Sequence, residues 1–347
     1  MTREQILLAI FAALMSVAPY WFLPARRRAY AISDAATWIA LGGALASLPA
    51  LGVWLAPSLL LAIVVAVKLI HFFAWCALVP PGEVRWSPRA AALVALGIFL
   101  IVGTEALAWP VDGDEPYFVL MAESILHDGD LDLANQYAHL ERSVTKRLDL
   151  GPQLMDPVGP RGERYARHEP LLPLLLVPGV ASLGLWGAMA TIALLGALAA
   201  GSILALAEEQ GAGRGALLRA WPLVALAPPL LFYAVRIWPE APAALCFSEA
   251  IRAAGRRKYG RAALWLVGLS LLQLRFVAIA ATFAIILVIA DRGARRLAVA
   301  AAAIIAIPLL IGWFAVGNPL NVHRWSELAP APLWKYLRGG FGVLFDA

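Results

Sequence analysis

The residues best suited to chemistry in this chain are carboxylates gathered in one stretch, Val111 to Tyr137. The acidic residues of this stretch are Asp112, Asp114, Glu115, Glu123, Asp128, Asp130 and Asp132. On both sides the sequence is dominated by Ala, Leu, Val, Ile and Trp. Carboxylates beside hydrocarbon are costly unless water, a partner or a function keeps them there. The stretch is therefore either a solvated loop or a reactive site.

The first candidate within it is the run Asp112-Gly-Asp114-Glu115-Pro116, which directly follows an apolar segment. A carboxylate in such a place can take the proton from a hydroxyl nucleophile. The structural alternative is helix capping, because Asp112 or Asp114 can cap a helix that has Pro116 in its first turn. Both interpretations stay open at this point.

The alternation of Asp128, Asp130 and Asp132 is similar to a calcium-binding loop, but two positions disagree with it. The glycine stands at 129 instead of the sixth position, and the twelfth position is His139 instead of Glu. We therefore predict that these three aspartates are ordinary solvated loop residues.

Further polar side chains lie between apolar segments elsewhere in the chain. Glu240 follows Trp238 and Pro239, Arg275 interrupts an apolar run, and Arg167 and His168 close the segment Arg164–Glu169. An arginine next to the membrane commonly binds an anion. The structural alternatives are an interfacial loop at Glu240, an ion pair of Arg275 with an acid such as Glu240, and an interfacial collar at 164–169.

The composition is typical of a membrane protein. The chain is 61% hydrophobic and 15% charged, with a mean hydropathy of +0.75, whereas soluble domains average about 25% charged residues. The net charge of +5 comes from Arg-rich loops, so it indicates how the chain is oriented in the membrane and does not indicate nucleic-acid binding. Cys76 and Cys246 form no metal-binding pattern. We predict an all-α, polytopic bundle of about ten spans, near 5–23, 33–55, 57–79, 91–108, 185–207, 220–236, 240–254, 262–274, 276–290 and 297–316.

Placing the N-terminus outside makes every short cytoplasmic loop basic, at 26–28, 85–89, 214–219, 252–261 and 292–296. Residues 109–168 then form one long extracytoplasmic loop. Pro116 to His127 in this loop is predicted to be a surface helix, with Phe118 and Met121 on its apolar face. The prolines after Glu169 and Gly184 indicate a short juxtamembrane piece before a span that begins near 185.

Four passages resemble the GT-C superfamily of integral membrane glycosyltransferases, in the bacterial group related to protein mannosyltransferases and aminoarabinose transferases. "GDEPYFVLMAESILHDGDLDLANQY" is similar to the first external loop of the family, and "RYARHEPLLPLLLVPG" to the segment that closes that loop. "WPEAPAAL" is similar to its second external acidic turn, and "LLQLRF" to a later hairpin. The resemblance covers roughly residues 90 to 347. His168 lacks a second adjacent proline, and the hairpin lacks the usual His.

The resemblance implies transfer of a sugar from a polyprenyl-phosphate donor to a lipid, glycan or protein acceptor, with inversion at the anomeric carbon. Asp114, with Glu115 beside it, would be catalytic and would act as general base. The substrate-binding residues would be Arg275, His168, Glu240, Arg167 and Tyr117. No metal ligand is assigned, and a divalent cation is left open as a cofactor.

The implied location is the bacterial inner membrane, with the loop facing the periplasm. Residues 1–89 would be a three-span extension and 90–347 the GT-C-like core, which is expected to be incomplete at its C-terminus. Two other functions stay open: a transporter or flippase of a lipid-linked saccharide, and a non-catalytic, degenerate membrane partner. A transporter requires charges along a path through the bilayer, whereas the predicted site gathers them at one face.

Overall fold

The computed structural model describes residues 26–51, 86–107, 109–153 and 162–297, together with Leu23 and scattered positions within 63–78 and 299–310. Every regular element in these ranges is helical, which confirms the all-α prediction. The described ranges also contain an isolated antiparallel β-bridge between Asp132 and Tyr165.

After residue 171 the described helices follow one another with short connections, and a long loop precedes that residue. The first ones are α1 (Arg27–Ser47), α2 (Pro88–Ala106), α3 (Glu115–His127), α4 (Ala134–Ala138) and α5 (Leu171–Glu209). They are followed by α6 (Arg214–Ala225), α7 (Leu230–Ala234), α8 (Glu240–Gly255), α9 (Tyr259–Leu272) and α10 (Arg275–Ala290). Short 3₁₀ turns cover Pro49–Leu51, Leu140–Arg142 and Arg292–Arg296.

The long helix α5 is divided at Gly184, as its sequence predicts. Gly184 has φ 60° and ψ −137°, a left-handed conformation that is open to glycine and strained for other residues. The two arms then approach backbone to backbone, since a Cβ on Gly187 would overlap the carbonyl oxygen of Gly179. A glycine at each of these positions is what allows the first arm to pack against the second.

The long helix α5 is the centre of the bundle, and α2, α3 and α8 all pack against it. Small residues permit this close approach. A Cβ on Gly201 would stand 2.6 Å from the carbonyl oxygen of Pro88 at the start of α2, and one on Gly196 would stand 2.6 Å from Cβ of Ala234 in α7. Glycine and alanine contacts of this kind are typical of helices that associate in a membrane.

Among the described residues, α5 is the helix long and apolar enough to cross a membrane by length and composition. Shorter apolar helices cover Pro88–Thr104, Gly215–Ala225, Tyr259–Leu272 and Arg275–Ala290. The span predicted at 220–236 is divided into α6 and α7, because Pro228 and Pro229 lack the N–H groups that a continuous helix needs. The segments predicted at 5–23 and most of 57–79 and 297–316, and the expected C-terminal incompleteness, lie outside the described residues.

Candidate functional site

Four turns that are far apart in sequence meet at one end of the bundle. They are the α2–α3 turn (111–115), the α7–α8 turn (235–240), the segment before α5 (167–170) and the α9–α10 turn (273–275). Each corresponds to a passage whose polar residues the sequence predicts to be functional. The structure therefore brings these four turns close together.

The first two turns are joined by the carboxylate of Glu115, whose side chain is 1% exposed. It accepts hydrogen bonds from the backbone N–H of Asp112 (3.1 Å) and of Ile237 (2.7 Å) and forms an ion pair with Arg236. Both oxygens are therefore bonded to protein donors. The interpretation of Glu115 as a reacting group changes accordingly, because this buried, bonded carboxylate positions the two turns and is not open to a substrate.

Gly113 also allows these two turns to come into close contact. It has φ +60°, and a Cβ built on it would stand 3.2 Å from the indole of Trp238. A glycine is therefore needed both for the turn and for the aromatic contact. The WPE passage, which on sequence alone resembles an interfacial anchor, is in contact with the acidic turn.

The third turn brings His168 to Asp114, with Nε2 3.8 Å from Oδ1. The imidazole packs on the ring of Phe118 at a centroid distance of 4.6 Å, which holds it against α3. The fourth turn is tied to the third by Glu169, which accepts the backbone N–H of Leu274 at 2.8 Å.

The side chain of Asp114 is not used for helix capping. Asp114 occupies the N-cap position of α3, but its carboxylate makes no capping hydrogen bond. This observation removes the structural alternative for Asp114. The side chain is 31% exposed and faces His168, so its carboxylate can be reached from solvent while it stays beside the imidazole.

His168 is a neutral base in this setting. Its side chain is 10% exposed, and burial lowers its pKa, with a further lowering by Arg167 and an opposing effect of Asp114. Buried Nε2 has no hydrogen-bond partner among the residues that the structure describes. A buried polar atom of this kind marks a place where a substrate group can bond.

Glu240 and Arg275 form an ion pair, which was one of the two interpretations left open by the sequence. The other oxygen of Glu240, Oε2, is buried without a protein partner, as is Oε1 of Gln273 in the neighbouring turn. Arg275 is 52% exposed and lies over the ring of Phe276 at 5.1 Å. It therefore keeps donors that an anion can reach from solvent.

The two remaining predicted substrate-binding residues differ in accessibility. The hydroxyl of Tyr117 donates to the carbonyl oxygen of Gly151 at 2.9 Å, and its ring is buried. Burial is also the main reason that its pKa is raised. Tyr117 thus anchors the loop, which is a correction to its prediction as a substrate ligand, whereas Arg167 lies half-buried beside His168.

The aspartates after α3 lie in the loop with exposed or partly exposed side chains, as predicted, and they also hold the loop together. Asp128 accepts from the side-chain amides of Asn135 and Gln136, at 2.9 and 2.6 Å. Asp130 accepts from Ser124, and Asp132 accepts the backbone N–H of Arg164 at 2.8 Å. Short acidic side chains often replace backbone partners in tight turns, and here they close the loop onto α3.

The predicted surface helix is present as α3, but it is enclosed on more than one side. All residues from Glu115 to Ser124 are buried, including Glu123, whose carboxylate accepts the N–H of Val144 at 2.7 Å. The first arm of α5 and the loop at 130–145 cover the faces that the amphipathic pattern leaves to solvent. The amphipathic pattern of this helix does not predict its burial, because the pattern carries no information about packing against the loop.

An apolar groove of about 470 Å³ opens beside the third turn. Ile125 and Leu131 line it from the loop side, Leu171 and Leu174 from α5, and Leu271 from α9. This volume lies within the range of small-molecule pockets, roughly 300–1,000 Å³. The groove thus places hydrocarbon surface next to the polar turns.

Within the described residues, no group of three or more His, Cys, Asp or Glu side chains is arranged to hold a metal ion. The described geometry offers an accessible carboxylate, an imidazole and an exposed guanidinium.

Sequence reasoning missed Arg236 and the structural roles of Glu115 and Glu169. Arg236 lies at the end of an apolar run directly before the WPE passage, so its closeness to a predicted acidic turn was an available signal. The bond from Leu274 N–H to Glu169 has no such signal, because it involves a backbone donor. Comparisons of the chain with protein-family models, curated proteins and solved structures find no match.

Proposed function

We propose that this chain is a membrane glycosyltransferase that moves a sugar from a polyprenyl-phosphate donor to a lipid, glycan or protein acceptor. The observation that carries the proposal is the uncommitted Asp114 carboxylate facing His168, together with a 470 Å³ apolar groove lined by Pro170, two residues after His168. A lipid-linked anionic sugar requires this combination: hydrocarbon surface for the prenyl chain and polar groups for the phosphate and sugar.

In the proposed reaction, Asp114 takes the proton of the acceptor hydroxyl as its oxygen attacks the anomeric carbon. The bond from that carbon to the phosphate oxygen breaks, and its electron pair stays on the phosphate. A single displacement of this kind inverts the anomeric centre. Arg275 and Arg167 are the cations near the leaving phosphate, and His168 Nε2 bonds to the substrate or receives the proton from Asp114.

The proposed topology keeps about ten spans in the bacterial inner membrane, with this end of the bundle on the periplasmic face. Two features support it. The four polar turns share one end of the bundle, and the basic connections at 256–258 and 291–296, together with Arg214, lie at the opposite ends of the same helices. The resemblance to GT-C enzymes supplies the donor class and the inverting outcome.

The test is sugar transfer by the full chain reconstituted in vesicles, supplied with synthetic polyprenyl phosphates that carry labelled hexoses or pentoses. Asp114→Asn should lower transfer by about 10²–10⁴-fold, the usual contribution of a general base. The matched control is Asp112→Asn, because the Asp112 carboxylate accepts the adjacent Gly113 N–H in the same turn. Normal transfer by Asp114→Asn would remove Asp114 as base, and movement of the donor across the vesicle without transfer would favour a transporter.

A further inference from the structure

A second cluster of charged side chains lies outside the candidate site, between α1 and the helical positions within 63–78. Lys68 forms an ion pair with Asp34, and both side chains are buried, at 7% and 6% exposure. His71, one turn after Lys68, has Nδ1 3.5 Å from the same Asp34 oxygen. Ionisable side chains buried in apolar helices are costly, and where they persist they commonly bind ions or protons.

The hydrogen bonds of Ser33 determine which ring nitrogen of His71 carries the hydrogen. The Ser33 hydroxyl donates its single proton to the carbonyl oxygen of Tyr30 at 3.0 Å. Its oxygen accepts from the indole N–H of Trp75 at 2.8 Å and lies 2.9 Å from His71 Nε2. Since a hydroxyl has one donor and two acceptor positions, the remaining bond must run from Nε2–H of His71 to Ser33.

This tautomer leaves Nδ1 as the basic nitrogen of the neutral ring. Nδ1 is buried and has no hydrogen-bond partner, and it faces the carboxylate of Asp34, which is also an acceptor. Two acceptors that face each other repel unless a proton lies between them. Binding of one proton at Nδ1 would turn this pair into an N–H donor opposite a carboxylate.

We propose that Asp34, Lys68 and His71 form a proton-binding site in the N-terminal helices, with Nδ1 of His71 as the atom that binds the proton. Among the described residues, the titratable groups around the ring are Asp34 and Tyr30 from α1 and Lys68 from its own segment. Without the added proton the charges of Asp34 and Lys68 balance, and with it the cluster carries one net positive charge. The contact between the two helices therefore depends on pH.

The site is separate from the candidate glycosyltransferase site and does not rest on that function. Asp34 lies about 10 Å along α1 from Arg27, at a rise of about 1.5 Å per residue. In the proposed topology Arg27 marks the cytoplasmic end of this helix. Protons would therefore exchange with the cytoplasm, whereas Asp114 and His168 face the opposite side.

The test is nuclear magnetic resonance of the full chain in detergent micelles with isotope-labelled histidine. The chain has five histidines, and the signals of His71 are assigned by their loss in His71→Gln. We expect the neutral form to be the Nε2–H tautomer and to convert to the imidazolium as the pH falls. Asp34→Asn should lower the midpoint of this conversion and Lys68→Met should raise it, each by about one pH unit or more.

Ser33→Ala provides a variant without a buried, unpaired charge, and it should lose the preference for the Nε2–H tautomer. Wild-type elution on size exclusion and a wild-type circular dichroism spectrum would show that each variant is folded. Three results would overturn the proposal. The neutral ring of the wild type could be the Nδ1–H tautomer, or the ring could keep one protonation state at every pH. The midpoint could also be the same in both charge variants as in the wild type.

Discussion

Removing the carboxylate of Glu115 should separate the two turns that it joins, and the structure allows the cost to be worked out. Glu115→Ala deletes the acceptor for two backbone N–H groups, those of Asp112 and Ile237. Each buried donor left without a partner costs about 1–3 kcal/mol. The same change leaves Arg236 without its ion-pair partner, which costs about 3–5 kcal/mol when the remaining charge is fully buried.

These costs do not add in full. The side chain of Arg236 is 21% exposed, so water restores part of its solvation once Glu115 is gone. We therefore expect Glu115→Ala to lower the free energy of unfolding by about 3–4 kcal/mol. Glu115→Gln keeps one oxygen that can accept the N–H of Ile237 and loses the charge opposite Arg236, so its expected cost is about 1–2 kcal/mol.

The measurement is equilibrium unfolding of the purified full chain in mixed detergent micelles, followed by circular dichroism as sodium dodecyl sulfate is added. The matched control is Glu141→Gln, because Glu141 lies on the same loop with a side chain that is 59% exposed. This control should change the unfolding free energy by no more than about 0.5 kcal/mol. A Glu115→Ala variant as stable as the control would refute the positioning role of Glu115.

A second comparison separates that role from catalysis. Folded Glu115→Gln should still transfer sugar, whereas Asp114→Asn should keep wild-type stability, because the Asp114 side chain makes no capping bond. The reverse pattern, with loss of transfer in stable Glu115→Gln and normal transfer in Asp114→Asn, would assign the base to Glu115.

Two further predictions concern the loop and the long helix. Burial raises the pKa of Glu123 above its usual 4.5, so its contribution to stability is present below that value and is lost as the pH rises through the raised pKa. Glu123→Gln should remove this fall in unfolding free energy as the pH rises above 4.5, and an unchanged slope would contradict it. Gly187→Ala should cost about 1–3 kcal/mol or more, because the new methyl overlaps the backbone at Gly179. The control Gly43→Ala, which meets nothing within 4 Å, should gain about 0.5–1 kcal/mol in the same unfolding assay.

Local signals in the sequence predict most of the helices and one essential break. The segments predicted at 91–108 and 240–254 correspond to α2 (Pro88–Ala106) and α8 (Glu240–Gly255), and Gly184 divides α5 where it was expected to. These features follow from hydropathy and from the conformational limits of proline and glycine, which act within a few residues. The division of the predicted span 220–236 follows from the same conformational limits, because the adjacent prolines Pro228 and Pro229 interrupt this segment.

The partners of Glu115 could not be predicted, because they lie more than a hundred residues away in the sequence. Glu115 and Asp114 are adjacent and of the same chemical type, so no local signal tells which one is buried. The difference comes from Arg236 and the backbone of Ile237, which reach Glu115 only after α3 and α8 have packed against α5. Tyr117 is misassigned for the same reason, since its partner Gly151 belongs to a distant part of the loop.

The separation of roles between neighbouring acids also explains why the acidic stretch tolerates its apolar surroundings. Glu115 and Glu123 are buried and bonded to N–H groups, so their polar atoms are satisfied within the protein. Asp128 and Asp132 are bonded to the loop at its exposed side. Asp114 is the acid of the α2–α3 turn whose side chain serves no local bond that the fold requires. Because the neighbouring acids fix the turn around it, Asp114 can stay partly open beside His168 without any cost to the structure that holds it there.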